Sequence, residues 1–169
     1  TTLAAIAGLL GDGERVVTIE DTAELRLDLS HVVRLEGRPA SIEGRGEVTI
    51  RSLVRNALRM RPDRIIVGEV RGAEALDMLI ALSTGHDGSL TTIHAGSPVE
   101  ALRRLETLAL MADVGLPHGA IRAQVAEAID LVVFQIRDRS GQRRVASVDR
   151  VVAAGREIQT ETIYPAPLG

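Results

Sequence analysis

The chain has 169 residues, of which 45% are hydrophobic and 25% charged, and its formal net charge is −3. This composition indicates one globular domain and excludes a disordered chain, while the acidic balance gives no overall attraction to nucleic acid. Cysteine is absent and only Phe134 and Tyr164 are aromatic, which excludes disulfide frameworks and leaves almost no platform for base stacking. No apolar run reaches the roughly 18 residues that a membrane span requires.

Apolar strand patterns alternate with helical periodicity along most of the chain, and a long glycine-rich loop interrupts them once. In chain order the pattern predicts a helix at 1–10, strands at 14–20 and 31–36, a loop at 37–46, a helix at 48–60, a strand at 64–69, a helix at 72–85, a strand at 89–95, helices at 97–112 and 120–129, a strand at 130–136, and a terminal hairpin from 143–152 and 156–164 around Gly155.

The clearest helix signal lies at 97–112. Ser97 is placed to cap the amino end, Pro98 suits the first helical position, and Glu100 completes a capping box. Because strands alternate with helices through most of the chain, we expect an α/β fold with a mostly parallel sheet and a small C-terminal β-hairpin.

Acidic or histidine side chains stand where three predicted strands finish: Glu20 and Asp21, then Glu69, then His94. In open α/β sheets, ligands bind outside the carboxyl ends of the strands. A carboxylate directly behind a buried apolar run is costly unless it has a partner. For Glu69 alone, an ordinary turn acid is the alternative, but the three strand ends together predict a ligand site at one edge of the sheet.

The segment "TGHDGSLTTIHAGSP", residues 84–98, concentrates hydroxyls, glycines and two histidines on a short predicted strand and its flanks. A strand that only packs would not carry so many polar groups. Metal ligation by His86, Asp87 and His94 is an alternative, but their spacing fits no structural zinc pattern. A packing or loop role is the simpler interpretation for either histidine.

Arginines form a stripe on the helix predicted at 48–60, where Arg51, Arg55 and Arg59 are spaced i, i+4 and i+8. Like charges at this spacing repel one another. Arg71 extends the basic character beyond the next strand. Either the stripe is a solvated face, or some of these guanidinium groups meet phosphate, for which their planar fork is suited.

Three blocks of sequence carry a resemblance to a known family: "VVTIEDTAEL", "LVRNALRMRPDRIIVGEVRGAEALDML" and "STGHDGSLTTIHAGSP". In this order and spacing they resemble the hexameric secretion ATPases of type II and type IV systems. The branch most similar is that of the Tad (tight-adherence) pilus ATPases, also called CpaF-like. The resemblance runs from Thr1 to about Arg137, and it implies a RecA-like P-loop NTPase core that binds ATP and Mg²⁺.

The resemblance also implies roles for individual residues. The family's Asp box corresponds to Glu20 and Asp21, its Walker B to the strand ending in Glu69, and its His box to the segment with His94, with His86 as a secondary candidate. Phosphoryl transfer requires one carboxylate to orient the attacking water and another to hold the waters of Mg²⁺. We assign the first task to Glu69 and the second to Glu20, with the reverse order left open, and contact with the γ-phosphate to His94. Arginines of the stripe and Arg71 are candidates for phosphate or cross-subunit contacts.

One part of the family's site is missing from these residues. A P-loop needs a lysine before its Ser or Thr, and all 20 basic residues here are arginine. The resemblance places the family's Gly-Lys just before Thr1, so that Thr1 would bind Mg²⁺ and Thr2 would be the next nucleotide-binding position. Residues 1–169 are therefore expected to be the C-terminal part of a RecA-like ATPase domain, truncated before the P-loop and inactive in isolation.

The resemblance implies a homo-hexamer in the cytoplasm, peripheral at the inner face of the inner membrane, that engages an inner-membrane platform protein and couples ATP hydrolysis to pilus assembly or protein secretion. No nucleic-acid partner is expected. Two other classes stay open: a RecA-like nucleic-acid motor, which salt-dependent DNA binding would support, and a non-catalytic interaction domain from a split or degenerate gene.

Overall fold

The computed structural model describes residues 1–154 and 157–165, and these residues form a parallel sheet with helices on both faces and a separate antiparallel sheet. The elements, in chain order, are α1 (Thr2–Ala7), β1 (Val16–Glu20), β2 (Val32–Glu36), α2 (Ile50–Ala57), a 3₁₀ turn (Leu58–Met60), β3 (Arg64–Val67), α3 (Glu74–Leu82), β4 (Leu90–Thr91), α4 (Pro98–Leu110), α5 (His118–Ala128), β5 (Leu131–Arg137), β6 (Arg143–Ala154) and β7 (Glu157–Pro165).

The parallel sheet has the strand order β2-β1-β3-β4, and β1, in the middle, is buried along its whole length. Successive side chains of a strand point to opposite faces. Val17 and Ile65 accordingly join the large core that α2 to α5 cover, whereas Val16 and Ile66 join a smaller core with α1. The predicted α/β fold with a parallel sheet is confirmed.

The antiparallel sheet has the order β5-β6-β7. The predicted C-terminal hairpin is confirmed as β6 and β7, although its turn around Gly155 lies outside the described residues. The strand predicted at 130–136 becomes the third member of this sheet through antiparallel pairing with β6. Val132, Val151 and Ile158 pack against the large core, so one face of this sheet closes the helical layer and the other faces solvent.

The strand predicted at 89–95 is wrong in its extent, because β4 comprises only Leu90–Thr91. The backbone leaves the ladder where Thr92 turns to the loop that follows β3: its carbonyl oxygen accepts a hydrogen bond from the Val70 amide at 3.0 Å, and its hydroxyl donates to the Gly68 carbonyl at 2.6 Å. His94 therefore lies on the connection to α4 and not on a strand. Among the described residues, no helix has the length and apolar character to cross a bilayer.

Two arginines of the predicted stripe join α2 to α3. The guanidinium groups of Arg51 and Arg55 each donate from Nε, at 2.6 Å, to a different oxygen of Asp77. The Asp77 side chain is only 10% exposed, so it needs these partners, and its charge offsets the repulsion between the two arginines. Arg59 lies in the 3₁₀ turn that follows α2 and does not continue the α-helical stripe.

Asp77→Ala is expected to lower the free energy of unfolding by about 2 kcal/mol, because it removes two charge-assisted hydrogen bonds and leaves two guanidinium groups without their acceptor. Urea unfolding followed by circular dichroism measures the loss. The matched control is Asp28→Ala, which alters an exposed aspartate. Equal stability of the two variants would contradict the anchoring role of Asp77.

Candidate nucleotide site

The strand ends that the sequence singled out meet at one edge of the parallel sheet. β1 ends at Glu20, and β3 runs beside it in parallel register up to Val67. The Gly68 amide, just beyond β3, donates to the Ile19 carbonyl at 2.8 Å, which holds the Gly68-Glu69 step next to the end of β1. Glu20 and Glu69 thus stand at the carboxyl ends of neighbouring central strands.

Glu20 is a buried carboxylate, 6% exposed, whose position is set by backbone amides. Its Oε1 accepts hydrogen bonds from the amides of Glu24 at 3.1 Å and Leu25 at 3.0 Å. Gly68 leaves room for it, since a Cβ at that position would lie 3.0 Å from Glu20 Cγ. A side chain at position 68 would therefore crowd Glu20, which explains the glycine there. Sequence reasoning missed this requirement, although a glycine between an apolar run and an acid was a signal for it.

Glu69 is the centre of a chain of charged side chains. Its Oε2 accepts from Arg71 Nη2 at 2.6 Å, and its Oε1 lies 3.4 Å from His94 Nε2. Arg71 Nη1 in turn lies 3.9 Å from Asp21 Oδ2. The structure thus brings together four of the residues that the sequence predicted for the site. The His94 side chain is 85% exposed, and that of Glu69 is 21% exposed. The group faces solvent and is accessible to a ligand.

The surroundings of Glu69 keep it ionised. The hydrogen bond from Arg71 has the largest effect and lowers the pKa of this carboxyl below its ordinary value of 4.5. Burial opposes it, and the nearby His94 and Arg104 act in the lowering direction. Because the folded-state pKa is depressed, the carboxylate and the stabilisation from its contacts persist at neutral pH and are lost only as the pH falls through that lowered value. Glu69 is therefore an acceptor at neutral pH.

A surface cavity of about 430 Å³ opens beside this group and is lined by His94, Ala95, Gly96, Glu100, Arg104, Thr107 and Leu108. Arg104 is the basic residue of this cavity, and sequence reasoning did not select it. Arg104 lies on α4 four residues after Glu100, so the two side chains share one face of the helix. This spacing was the signal that could have placed Arg104 on the side of α4 that faces His94.

Other predicted site residues make separate contacts. Thr1 caps α1, its hydroxyl accepting from the Ala4 amide at 3.2 Å, and Thr2 Oγ1 donates to Gln135 Oε1 at 2.9 Å. His86 Nδ1 lies 3.0 Å from the Ala81 carbonyl at the end of α3. No hydrogen bond or ion pair among the described residues joins these three side chains to Glu20 or Glu69, so their predicted roles stay predictions. The described residues contain no cluster of metal-ligating side chains.

Comparison with known proteins gives consistent relatives. Residues 1–159 match the family described as Type II/IV secretion system protein. A Mycobacterium tuberculosis H37Rv protein, named for a proposed role in conjugal transfer, is 47% identical over 169 residues, covering 100% of this chain and 47% of that protein. The type IV secretion system protein PtlH of Bordetella pertussis is 45% identical over 157 residues, covering 88% of this chain and 45% of PtlH. The chain thus spans about half the length of the curated relatives it matches.

The solved structures agree with these relatives. The VirB11 ATPase of the Brucella suis type IV secretion system superposes with a TM-score of 0.76 at 32% identity, covering 87% of this chain and 43% of that one. The pilus retraction motor PilT, with a TM-score of 0.54 at 18% identity over 96% of this chain and 41% of that one, supports the fold alone. The predicted RecA-like fold is confirmed by these neighbours. On the matching sequence, the relatives and the fold together, this chain belongs to the type II/IV secretion system protein family.

Proposed function

We propose that this chain supplies the hydrolytic half of the nucleotide site in a secretion or pilus-assembly ATPase that uses ATP and Mg²⁺. The observation that carries the proposal is the pairing of two differently held carboxylates, Glu20 and Glu69, at the carboxyl ends of adjacent central strands. Solved relatives in the same family are named as ATPases, which supports the same activity for the protein that contains this chain.

The two carboxylates suit two tasks. Glu69 is partly exposed and ionised, so it can accept a hydrogen bond from the attacking water and orient it. Glu20 is buried and its Oε1 is held by two amides, which leaves Oε2 to accept a hydrogen bond from metal-bound water, and protein-bound Mg²⁺ usually keeps several waters. When bound, Mg²⁺ supplies neutralisation of phosphate charge. Asp21 helps to hold Arg71 at this edge.

Arg71 is the strongest candidate among the predicted arginines for contact with phosphate. It already contacts Glu69 and lies near Asp21, and its side chain is 65% exposed. Arg51 and Arg55, by contrast, are both bound to Asp77 and join α2 to α3. Arg59, in its 3₁₀ turn, is the remaining candidate for a contact across subunits.

The wider organisation is also proposed. Residues 1–169 form part of the ATPase domain; a lysine-bearing P-loop is supplied by other residues of the whole protein, and Thr1 and Thr2 stand at Mg²⁺ and the nucleotide. The whole protein acts as a homo-hexamer in the cytoplasm, peripheral at the inner membrane, on a platform protein of a Tad-like or related apparatus. The names of the relatives, such as PtlH and VirB11, support a role in type IV secretion.

The proposal is tested by His94→Ala in the whole protein. Turnover of Mg-ATP is expected to fall at least tenfold, because His94 contacts the water-orienting Glu69, while the affinity for Mg-ATP stays within a few-fold. Steady-state hydrolysis and calorimetric titration measure the two quantities.

His31→Ala is the matched control, since His31 is exposed and lies just before β2, at the amino end of the sheet's strands. It is expected to leave both quantities unchanged. A whole protein with no Mg-dependent hydrolysis, or a His94→Ala variant that hydrolyses ATP like the control, would overturn the assignment.

A further inference from the structure

The turn between β5 and β6 is strongly basic. Residues 137–144 contain four arginines and one aspartate, a net charge of +3. Since the whole chain carries −3, the remaining residues together carry −6, so this tip is positive on a chain that is otherwise acidic on balance. We refer to residues 137–144 as the basic turn. Nothing in the nucleotide site uses it.

Two arginines of the basic turn stand directly opposite each other. Arg137 on β5 and Arg143 on β6 are partners in the antiparallel register, and both are exposed. Directly opposed like charges destabilise a strand pair. An anionic partner that contacts both guanidinium groups would remove this repulsion, and the fork of each is suited to phosphate.

The single acid of the turn does not neutralise this charge. Asp138 Oδ1 accepts from the Ser140 amide at 2.9 Å, the Ser140 hydroxyl at 2.6 Å and the Gln142 amide at 2.9 Å. Its other oxygen lies 2.7 Å from Arg144 Nε. Within the described part of the chain, Arg137, Arg139 and Arg143 have no ion-pair partner. Asp138 therefore shapes the turn and leaves three guanidinium groups exposed to solvent.

Apolar side chains of β5 share a face with Arg137. Leu131 is 50% and Val133 39% exposed, and strand alternation places both on the face that carries Arg137, whereas Val132 on the opposite face packs against the large core. The aromatic residue of this strand, Phe134, is half-buried, so the surface offers no good platform for nucleic-acid bases. Neither the cavity beside His94 nor the smaller one beside Glu106 includes these residues.

We propose that the basic turn, with the exposed apolar side chains of β5, is a docking surface for an anionic lipid bilayer. Charge complementarity selects the partner: three unpaired guanidinium groups meet lipid phosphates, and the neighbouring aliphatic side chains contact the interface. A bilayer is also an extended surface, which an exposed turn can meet without a groove.

The test is flotation of the whole protein, without nucleotide, with phosphatidylcholine vesicles that contain phosphatidylglycerol. Arg137→Gln with Arg143→Gln is expected to lower the partition coefficient about thirtyfold, on the basis of the usual contribution of each arginine near an anionic surface. Arg26→Gln with Arg34→Gln removes the same charge from two exposed arginines elsewhere and is expected to bind vesicles like the unmodified protein. The melting temperature of the first variant should stay the same or rise, because the opposed pair is gone.

Binding that both double variants lose equally, or that vesicles of phosphatidylcholine alone support equally well, would overturn the proposal. So would competition by single-stranded DNA at the same charge concentration as the lipid, because that result would indicate a general polyanion surface. Since the readout needs no ATP, failure of this test leaves the hydrolytic assignment untouched, and failure of the hydrolytic assignment leaves this test valid.

Discussion

Glu69→Gln in the whole protein is expected to lower kcat for ATP hydrolysis at least about a hundredfold while the affinity for Mg-ATP stays within a few-fold. Glutamine keeps the shape of the side chain and an oxygen that can accept from Arg71, but it has no charge with which to orient and activate water. The group acts on the transition state more than on bound ATP, so the loss should fall on turnover. Steady-state hydrolysis gives kcat, and titration with a non-hydrolysable analogue gives affinity.

The matched control for this substitution is Glu127→Gln, which makes the same chemical change at an exposed position of α5. It is expected to hydrolyse ATP at the rate of the unmodified protein. If Glu69→Gln does the same, Glu69 is not the group that orients water, and the opposite assignment of the two carboxylates becomes the one to test.

Glu20→Gln is expected to raise the Mg²⁺ concentration needed for half-maximal hydrolysis by roughly 10–100-fold, as usual for groups that hold a metal through its outer shell. The glutamine Oε1 can still accept from the amides of Glu24 and Leu25, so the loop after β1 should keep its position. Glu20→Ala removes that acceptor and is expected to cost about 1–3 kcal/mol of stability in addition. Hydrolysis at varied Mg²⁺ and urea unfolding separate the two effects.

Glu36 provides the control for Glu20. It ends β2, pairs in register with Glu20 and is exposed, so Glu36→Gln alters an acid at the same edge of the sheet. This variant should need no more Mg²⁺ than the unmodified protein. An unchanged Mg²⁺ requirement in Glu20→Gln would show that the buried carboxylate only holds the loop after β1 and does not contact the metal's water.

Local sequence was sufficient to predict the carboxylate edge. Glu20 and Glu69 directly follow apolar runs, and runs of this kind form buried strands because they remove most apolar surface from water. Once strands are parallel, their carboxyl ends must share an edge, so the two acids meet without any information about side-chain packing. The helix at 97–112 could also be predicted locally, because its start is specified by capping residues within the first turn.

Contacts between distant elements needed the tertiary structure. The arginine stripe could be read as solvated or as phosphate-binding, because Asp77, 26 residues from Arg51, comes within reach only when α3 packs on α2. His94 was placed on a strand because β propensity does not show where a ladder stops, and Thr92 stops it by bonding to the loop after β3. The proximity of Arg104 to Glu69 could not be predicted, because it depends on how α4 packs against the sheet.

The sequence by itself determined at which end of the strands the acidic side chains stand, since strand burial, caps and alternation are local consequences of side-chain type. The tertiary structure decided which of the polar groups are partners. Ion pairs and hydrogen bonds act over only a few ångströms, and the separation of Glu69 from Arg71, His94 and Arg104 is set by how β3, the connection after β4 and α4 pack together. Sequence patterns specify each element, and only their packing specifies those distances.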